Sequence, residues 1–290
     1  MSAISMDLVK KLRDKTQIGM MDCKKALEEA AGDFDAALEL LRKKGAAVAA
    51  KRADNATNHG RVESFVSADH KLGVLVETAC ETDFSANTET MRDFAIGTAE
   101  IIAHTNPSSV DEVFTKSHGK LTVRQMLDDL IAKICESIKL SRFERFTVTG
   151  HGMVNVYVHP GSTIGVMVQL TTDKDCAAHI DALKTIAKDV CMQIAVTNPV
   201  GISPADIDPV TREKERALAL EQVQASGKPA NVVEKIIEGK LAKFYQDACL
   251  LNQPFIKNDK QTVQQYVDEA AKKLGLAVTV SAFKRFAIGR

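Results

Sequence analysis

Apolar positions along residues 5–45 recur in three short bursts at helical spacing. Leu8, Val9 and Leu12 mark a first helix, Thr16 to Gly19 interrupts it, and Met21, Ala26 and Leu27 mark a second. After Gly32-Asp33 a third carries Ala37, Leu38 and Leu41. Lys43-Lys44-Gly45 reads as the end of that helix, because cations favour the negative end of the helix dipole and glycine permits a left-handed cap. Residues 1–45 are therefore expected to form a three-helix module, too small to bury much surface alone and suited to docking. Over residues 46–59 the apolar period lapses into Ala, Lys, Arg and Asn, the pattern of a linker that is in part helical.

Beyond residue 60 the chain repeats itself. Slid by 92 positions without a gap, Gly60 falls on Gly152, Val62 on Val154, Phe65 on Tyr157, Gly73-Val74 on Gly165-Val166, and Thr105-Asn106-Pro107 on Thr197-Asn198-Pro199. A second stretch matches at 140: Thr122-Val123 on Thr262-Val263, Gln125 on Gln265, and Phe143-x-Arg145-Phe146 on Phe283-x-Arg285-Phe286. The two offsets differ by 48 residues, an insertion in the second copy between Pro199 and Thr262. Alternating Val, Phe and Tyr predict strands at 62–67 and 73–79, at 154–159 and 165–171, and at 143–149 and 280–288. Met91, Phe94, Ala95, Thr98 and Ile102 carry a helical period between them. Each copy, 60–150 and 151–290, thus reads as α+β: an antiparallel three-stranded sheet with helices on one face.

The insertion, about 203–250, reads as a helical hairpin. Asp208-Pro209 starts one helix to about Ala225, Ser226-Gly227-Lys228-Pro229 turns the chain, and Val233, Ile237, Leu241 and Phe244 stripe the return. At 1.5 Å per residue each arm is roughly 25 Å long. Such a hairpin either protrudes as a contact arm or folds back as ordinary core; the narrow apolar stripe favours the arm.

Composition removes several function classes. Lys+Arg and Asp+Glu both number 38, so no global charge draws the chain to nucleic acid or membrane, and no apolar run reaches a bilayer's width. With no basic and apolar leader, a cytoplasmic location is expected. The six cysteines contain no C-x-x-C pair, and the seven histidines are scattered, so neither a metal nor a disulfide framework is expected. No Gly-Lys pair is followed by Ser or Thr as a P-loop requires, and neither H-E-x-x-H nor G-x-S-x-G occurs. The expectation is a binding protein: no enzyme, no cofactor, no small-molecule substrate.

Differences between the copies isolate residues that the shared fold does not demand. Thr82-Asp83-Phe84-Ser85 aligns with Lys174-Asp175-Cys176-Ala177, so a strand-to-helix turn keeps its Asp but gains a Phe. The Asp suits a helix N-cap. The Phe is either a staple onto its own helix, which composition favours, or an exposed plug for a partner's pocket. His159, in Val158-His159-Pro160-Gly161, stands where the first copy has Ser67 and is expected at an exposed hairpin tip.

Val9-Lys10-Lys11-Leu12-Arg13, the run Gly19-Met20-Met21-Asp22-Cys23-Lys24-Lys25-Ala26-Leu27, Glu81-Thr82-Asp83-Phe84, Ser226-Gly227-Lys228-Pro229 and Gln253-Pro254-Phe255 together resemble the translation elongation factor Ts family across nearly the whole chain. The resemblance implies a ubiquitin-associated-like N-terminal module, a two-copy core, a projecting coiled coil, and exchange of guanine nucleotide on elongation factor Tu. It implies further that Leu12, Met20 and Met21 dock on the partner, that Thr82, Asp83, Phe84 and Ser85 enter it near the magnesium site, and that His159 contacts it. For Leu12 and Met21, packing inside their own module is the equal alternative. Gln17-Ile18 and Ser85 depart from the small residues and the Val that the family more often carries at these places.

Overall fold

In the computed structural model, which describes residues 4–16, 18–52, 54–225 and 230–289, three helices wrap a small apolar core. They are α1 (Met6–Thr16), α2 (Met20–Glu29) and α3 (Phe34–Arg52), and Val9, Leu12, Cys23, Ala26, Leu27, Ala37 and Leu41 lie between them. Thr16 closes α1 by donating its hydroxyl to the Leu12 carbonyl at 2.8 Å. Asp33 opens α3, its carboxylate accepting from the N–H groups of Asp35 and Ala36, both at 3.0 Å.

The helix end expected at Lys43-Lys44-Gly45 is not there, because α3 continues to Arg52. Gly45 is a contact point instead of a cap. A Cβ on it would lie 2.6 Å from that of Ala132 and 2.8 Å from the Asp128 carbonyl oxygen, so the bare backbone lets α3 press against the helix at Val123–Ile134. Arg42 fixes the same contact, donating from Nε to Asp129 at 3.1 Å. The alanines that follow favour helix, and with one side of α3 supported, half of the expected linker becomes a rigid strut. Gln17 and the turn 226–229 lie outside the described residues.

The next elements are β1 (His59–Val66), β2 (Leu72–Cys80), α4 (Asp83–Ala86), α5 (Glu89–Thr105) and α6 (Val110–Thr115). A two-residue ladder, β3 (Ser117–His118) with β4 (Leu121–Thr122), leads into α7 (Val123–Ile134) and β5 (Ile138–Thr147), which returns beside β2. The sheet is antiparallel in the order β1-β2-β5. Then β6 (Gly152–Val158), β7 (Ile164–Thr172) and α8 (Ile180–Thr197) precede the helical pair α9 (Pro209–Ala225) and α10 (Ala230–Ala248). The chain finishes with β8 (Pro254–Phe255), β9 (Asn258–Thr262), α11 (Val263–Leu274) and β10 (Val278–Ala287), giving a second antiparallel sheet in the order β10-β7-β6.

Local devices recur at the offsets found in the sequence. Thr122 with Gln125 and Thr262 with Gln265 form reciprocal capping boxes at the starts of α7 and α11. Ser141 and Ser281 are each left without a partner in their ladders, as single-residue bulges. Such a bulge breaks the alternation, so the period visible at Phe143-x-Arg-Phe does not extend to residues 138–140, and β5 spans Ile138–Thr147 in place of the expected 143–149. Arg145 and Arg285 reach back to the Ala103 and Ala195 carbonyls, in the last turns of α5 and α8.

The two sheets pack face to face. Val74 and Val76 of the central strand β2 point to the first copy's helices, while Leu75 meets Val62, Val154, Met167 and Phe286 on the other side. A Cβ on Gly73 would fall 2.4 Å from Val154 Cγ1, and one on Gly165 would fall 2.4 Å from Val62 Cγ1. The contact is thus reciprocal about an approximate two-fold. Across it the Val62 N–H donates to the Ser162 carbonyl at 2.7 Å and the Val154 N–H to the His70 carbonyl at 2.8 Å.

α9 and α10 bury Ala219, Val223 and Ile237 against one another, with Ile236 and Leu241 alongside. The helical pair is clamped to α8 by Gln253. Its side chain donates to the Asp247 carbonyl at the end of α10 and accepts from Gln193 and Thr197 of α8, at 2.9, 3.0 and 2.7 Å.

Gly73→Ala and Gly165→Ala should each destabilise the fold by about 1–3 kcal/mol through overpacking at the sheet contact. Gly239→Ala, in α10 with open space around it, should gain about 0.5–1 kcal/mol from helix propensity. Urea unfolding midpoints at unchanged slope check all three.

Candidate protein-contact surface

β2 ends at Cys80, and within three residues the chain turns into the four-residue helix α4. Thr82 is its N-cap: the Oγ1 accepts from the Ser85 N–H at 3.3 Å. The sequence assigned that role to Asp83, which instead occupies the first helical position and is exposed. Because Thr82 closes the turn, the Asp83 carboxylate is released to solvent.

Phe84 is 83% exposed, so the favoured staple onto its own helix is overturned. With Thr82 capping, the first turn aims position 84 away from the sheet. Cys176, at the aligned position of the second copy, is buried. Ser85 is also buried, its N–H bonded to Thr82 and its carbonyl accepting from the Thr88 hydroxyl at 2.8 Å, so it shapes the turn.

Sequence reasoning missed the groups that hold this turn still. Glu136, between α7 and β5, accepts from the Thr82 hydroxyl at 2.7 Å and the Thr82 N–H at 3.1 Å. Glu81 accepts from the Ser137 N–H at 2.6 Å and from Arg52, at the end of α3, at 3.1 Å. Arg61 of β1 donates to the Ala86 carbonyl, the last residue of α4, at 2.7 Å. The repeat contained a signal for two of them: Glu136 aligns with Leu276 and Arg61 with Met153, so neither is demanded by the shared fold. The Ser137 N–H, ahead of the hydrogen bond from Asn55 and of Arg52, holds the Glu81 carboxyl below the usual carboxylate range. Burial, with Glu136 nearby, pushes the Cys80 thiol up to about 11.

The remaining candidates divide. Leu12 is fully buried among Val9, Cys23, Ala26 and Leu27, the packing alternative of the two expected for it. Met20 is half-buried against the same core, while Met21, one residue further round α2, is 63% exposed. His159 is exposed at the start of the β6–β7 turn, its Nδ1 2.9 Å from the Tyr157 hydroxyl. Among the described residues no group of three or more His, Cys, Asp or Glu is placed to hold a metal ion, and no helix is long and apolar enough to cross a membrane.

The site is thus an exposed aromatic on a turn braced from three directions, carried by an α+β body with an attached helical module and helical pair. Comparison with known proteins gives that surface a family. The family model "Elongation factor TS" matches residues 81–290. Elongation factor Ts of Clostridium perfringens is 42% identical over 287 residues, covering 99% of this chain and 93% of that protein. The protein of that name from a Nitratiruptor species is 43% identical over 289 residues, with the same coverage. That of Prosthecochloris aestuarii is 39% identical over 293 residues and covers both chains in full. The chain belongs to the elongation factor Ts family.

Two outcomes follow from the turn's chemistry. Near neutral pH iodoacetamide should label the exposed Cys135 and spare Cys80, whose thiol stays protonated; peptide mass spectrometry reads the ratio. The depressed Glu81 carboxyl stabilises the fold above its unfolded-state pKa, and that contribution is lost as pH falls through the depressed folded value. Glu81→Gln should therefore lower the melting temperature at pH 7 and have progressively less effect as the medium is acidified below the carboxylate range.

Proposed function

We propose that this chain is a non-enzymatic exchange factor of translation elongation that acts in the cytoplasm, binds elongation factor Tu and releases its GDP so that GTP can load. Family membership supports the partner, and the observation that carries the reading is the exposed, braced Phe84.

A GTPase holds its nucleotide through backbone amides around the phosphates and through a magnesium ion that bridges them. To speed release about ten-thousand-fold, the barrier must fall by roughly 5.5 kcal/mol. Burial of one phenylalanine on docking supplies about 1.5–3 kcal/mol, so the ring acts as a wedge whose position is held by binding energy from elsewhere. In this reading Phe84 inserts between the elements that hold magnesium. Asp83, an anion free of capping duty, disturbs the ion's water shell. The helical module, a ubiquitin-associated-like handle, adds contact through Met21 and the exposed edge of Met20. His159 meets the partner from the second copy, and the helical arm extends the footprint. No cofactor, nucleic acid or membrane is required. Linkage requires reciprocity: GDP weakens the grip of the factor on its partner by the same ratio that the factor weakens GDP.

The rigid brace matters because a wedge that relaxes into its own body exerts no force on the partner. Glu136, Arg52 and Arg61 oppose that relaxation from three separate parts of the chain.

Release of a fluorescent GDP from magnesium-loaded elongation factor Tu tests the proposal. The unmodified protein should accelerate release strongly, and Phe84→Ala should lose most of the acceleration while binding to nucleotide-free partner falls by only about 1.5–3 kcal/mol. Binding without acceleration by the unmodified protein would leave an interaction protein that displaces nothing.

A further inference from the structure

A buried bridge joins the Phe84 turn of the first copy to the His159 hairpin of the second. Arg61, on β1, is only 8% exposed. Its guanidinium donates in three directions: from Nη1 to the Ala86 carbonyl at 2.7 Å, from Nε to Glu63 Oε1 at 3.0 Å, and from Nη2 both to Glu63 and, at 3.4 Å, to the Ser162 hydroxyl. Ser162 in turn donates to Glu63 Oε1 at 3.3 Å. Its backbone is locked as well. Ser162 lies in the left-handed region at φ 55, its carbonyl accepts from the Val62 N–H at 2.7 Å, and its N–H donates to the His159 carbonyl at 2.8 Å. From the end of α4 to the carbonyl of His159 the path is therefore a short, continuous run of hydrogen bonds across the boundary between the two copies.

The fold does not require this bridge. At the positions equivalent by the repeat, Arg61 is replaced by Met153, Glu63 by Asn155, and Ser162 by His70. Met153 is fully buried in the second core, so an apolar side chain fills that place in the same architecture. A buried ion pair is also a poor source of stability, since desolvation offsets most of its attraction and an apolar residue of similar volume is often as good. What a planar guanidinium supplies and methionine does not is a fixed fork that bonds several acceptors at set angles.

The geometry points to Arg61 as a positioning residue that couples the Phe84 turn to the His159 hairpin, so that both meet the partner as one rigid edge. This rests on the exchange-factor reading for its consequence, but the coupling itself is a property of the free protein. Arg61 is buried, and it acts by holding Ala86 and Ser162 at a set separation. A lysine has the charge and three donors but on one nitrogen, so it lacks the fork that sends separate N–H groups to Ala86, Glu63 and Ser162.

Three variants test it: Arg61→Met with Glu63→Asn, which installs the second copy's own pair; Arg61→Lys; and Ser162→Ala, which cuts the bridge from the other copy. The first readout is amide hydrogen exchange of the free protein at residues 84–88, expected to accelerate about tenfold in all three variants while the matching turn at 175–180 is unchanged. The second is fluorescent GDP release at increasing factor concentration. The maximal rate should fall about tenfold with the half-saturating concentration changed less than about threefold, the signature of lost positioning and not of lost contact. Protection at 84–88 that is unchanged in Ser162→Ala and in the double variant overturns the coupling, whatever the release rates. A maximal rate within about twofold of the parent in all three variants, with the parent itself active, overturns its role in exchange. Should the parent fail to accelerate release, the exchange reading falls, and the amide measurement alone decides whether the bridge couples the two segments.

Discussion

The contact between the two sheets at Gly73 and Gly165 is the constraint on which the rest of the molecule depends. Each glycine admits a valine of the opposite edge strand, at a distance that even a methyl group would close. Because the sheets lie this near, β2 is buried almost throughout, its alternate residues covered by helices on one side and by the other sheet on the other. The same approach brings each hairpin turn within hydrogen-bonding distance of the other copy's edge strand. The two-fold relation thus brings Ser162, in the second hairpin turn, within reach of Arg61, which also bonds the first strand-to-helix turn.

On this symmetric body function is written as asymmetry. Devices found in both copies, such as the capping boxes of α7 and α11, the bulges at Ser141 and Ser281, and the arginines that close α5 and α8, serve the fold. Several devices found in the first copy only collect around α4, as the Gln253 clamp of the second copy collects at the base of the helical pair. Thr82, Glu136, Arg61 and Glu63 align with Lys174, Leu276, Met153 and Asn155; the first three bond the turn directly, and Glu63 holds Arg61. An exposed phenylalanine is a liability in a free protein, and a short helix is weak by itself; a network of charged groups fixes it at low entropic cost on docking. The N-terminal module shares in this support, since Arg52 at the far end of α3 bonds Glu81 beside the turn.

The sequence alone determined the modules, since periodicity and self-similarity are carried by the chain whatever it touches. The offsets of 92 and 140 located the three sheet strands and the long helix of each copy, the helical pair inserted at about 203–250 and the turn bearing Phe84, while the motif residues named the family. What it left open was decided by partners remote in sequence. Whether Lys43-Lys44-Gly45 ends a helix depended on Ala132 and Asp128, which press on Gly45 and keep α3 straight. Whether Leu12 faces inward and Met21 outward depended on how three helices close on one another, a choice that spacing does not make. The direction of Phe84 followed from Thr82 taking the cap, itself held by Glu136 from the far end of the copy. Local chemistry fixes which element a residue can form; only the packing of distant segments fixes which side of that element is left for another protein to touch.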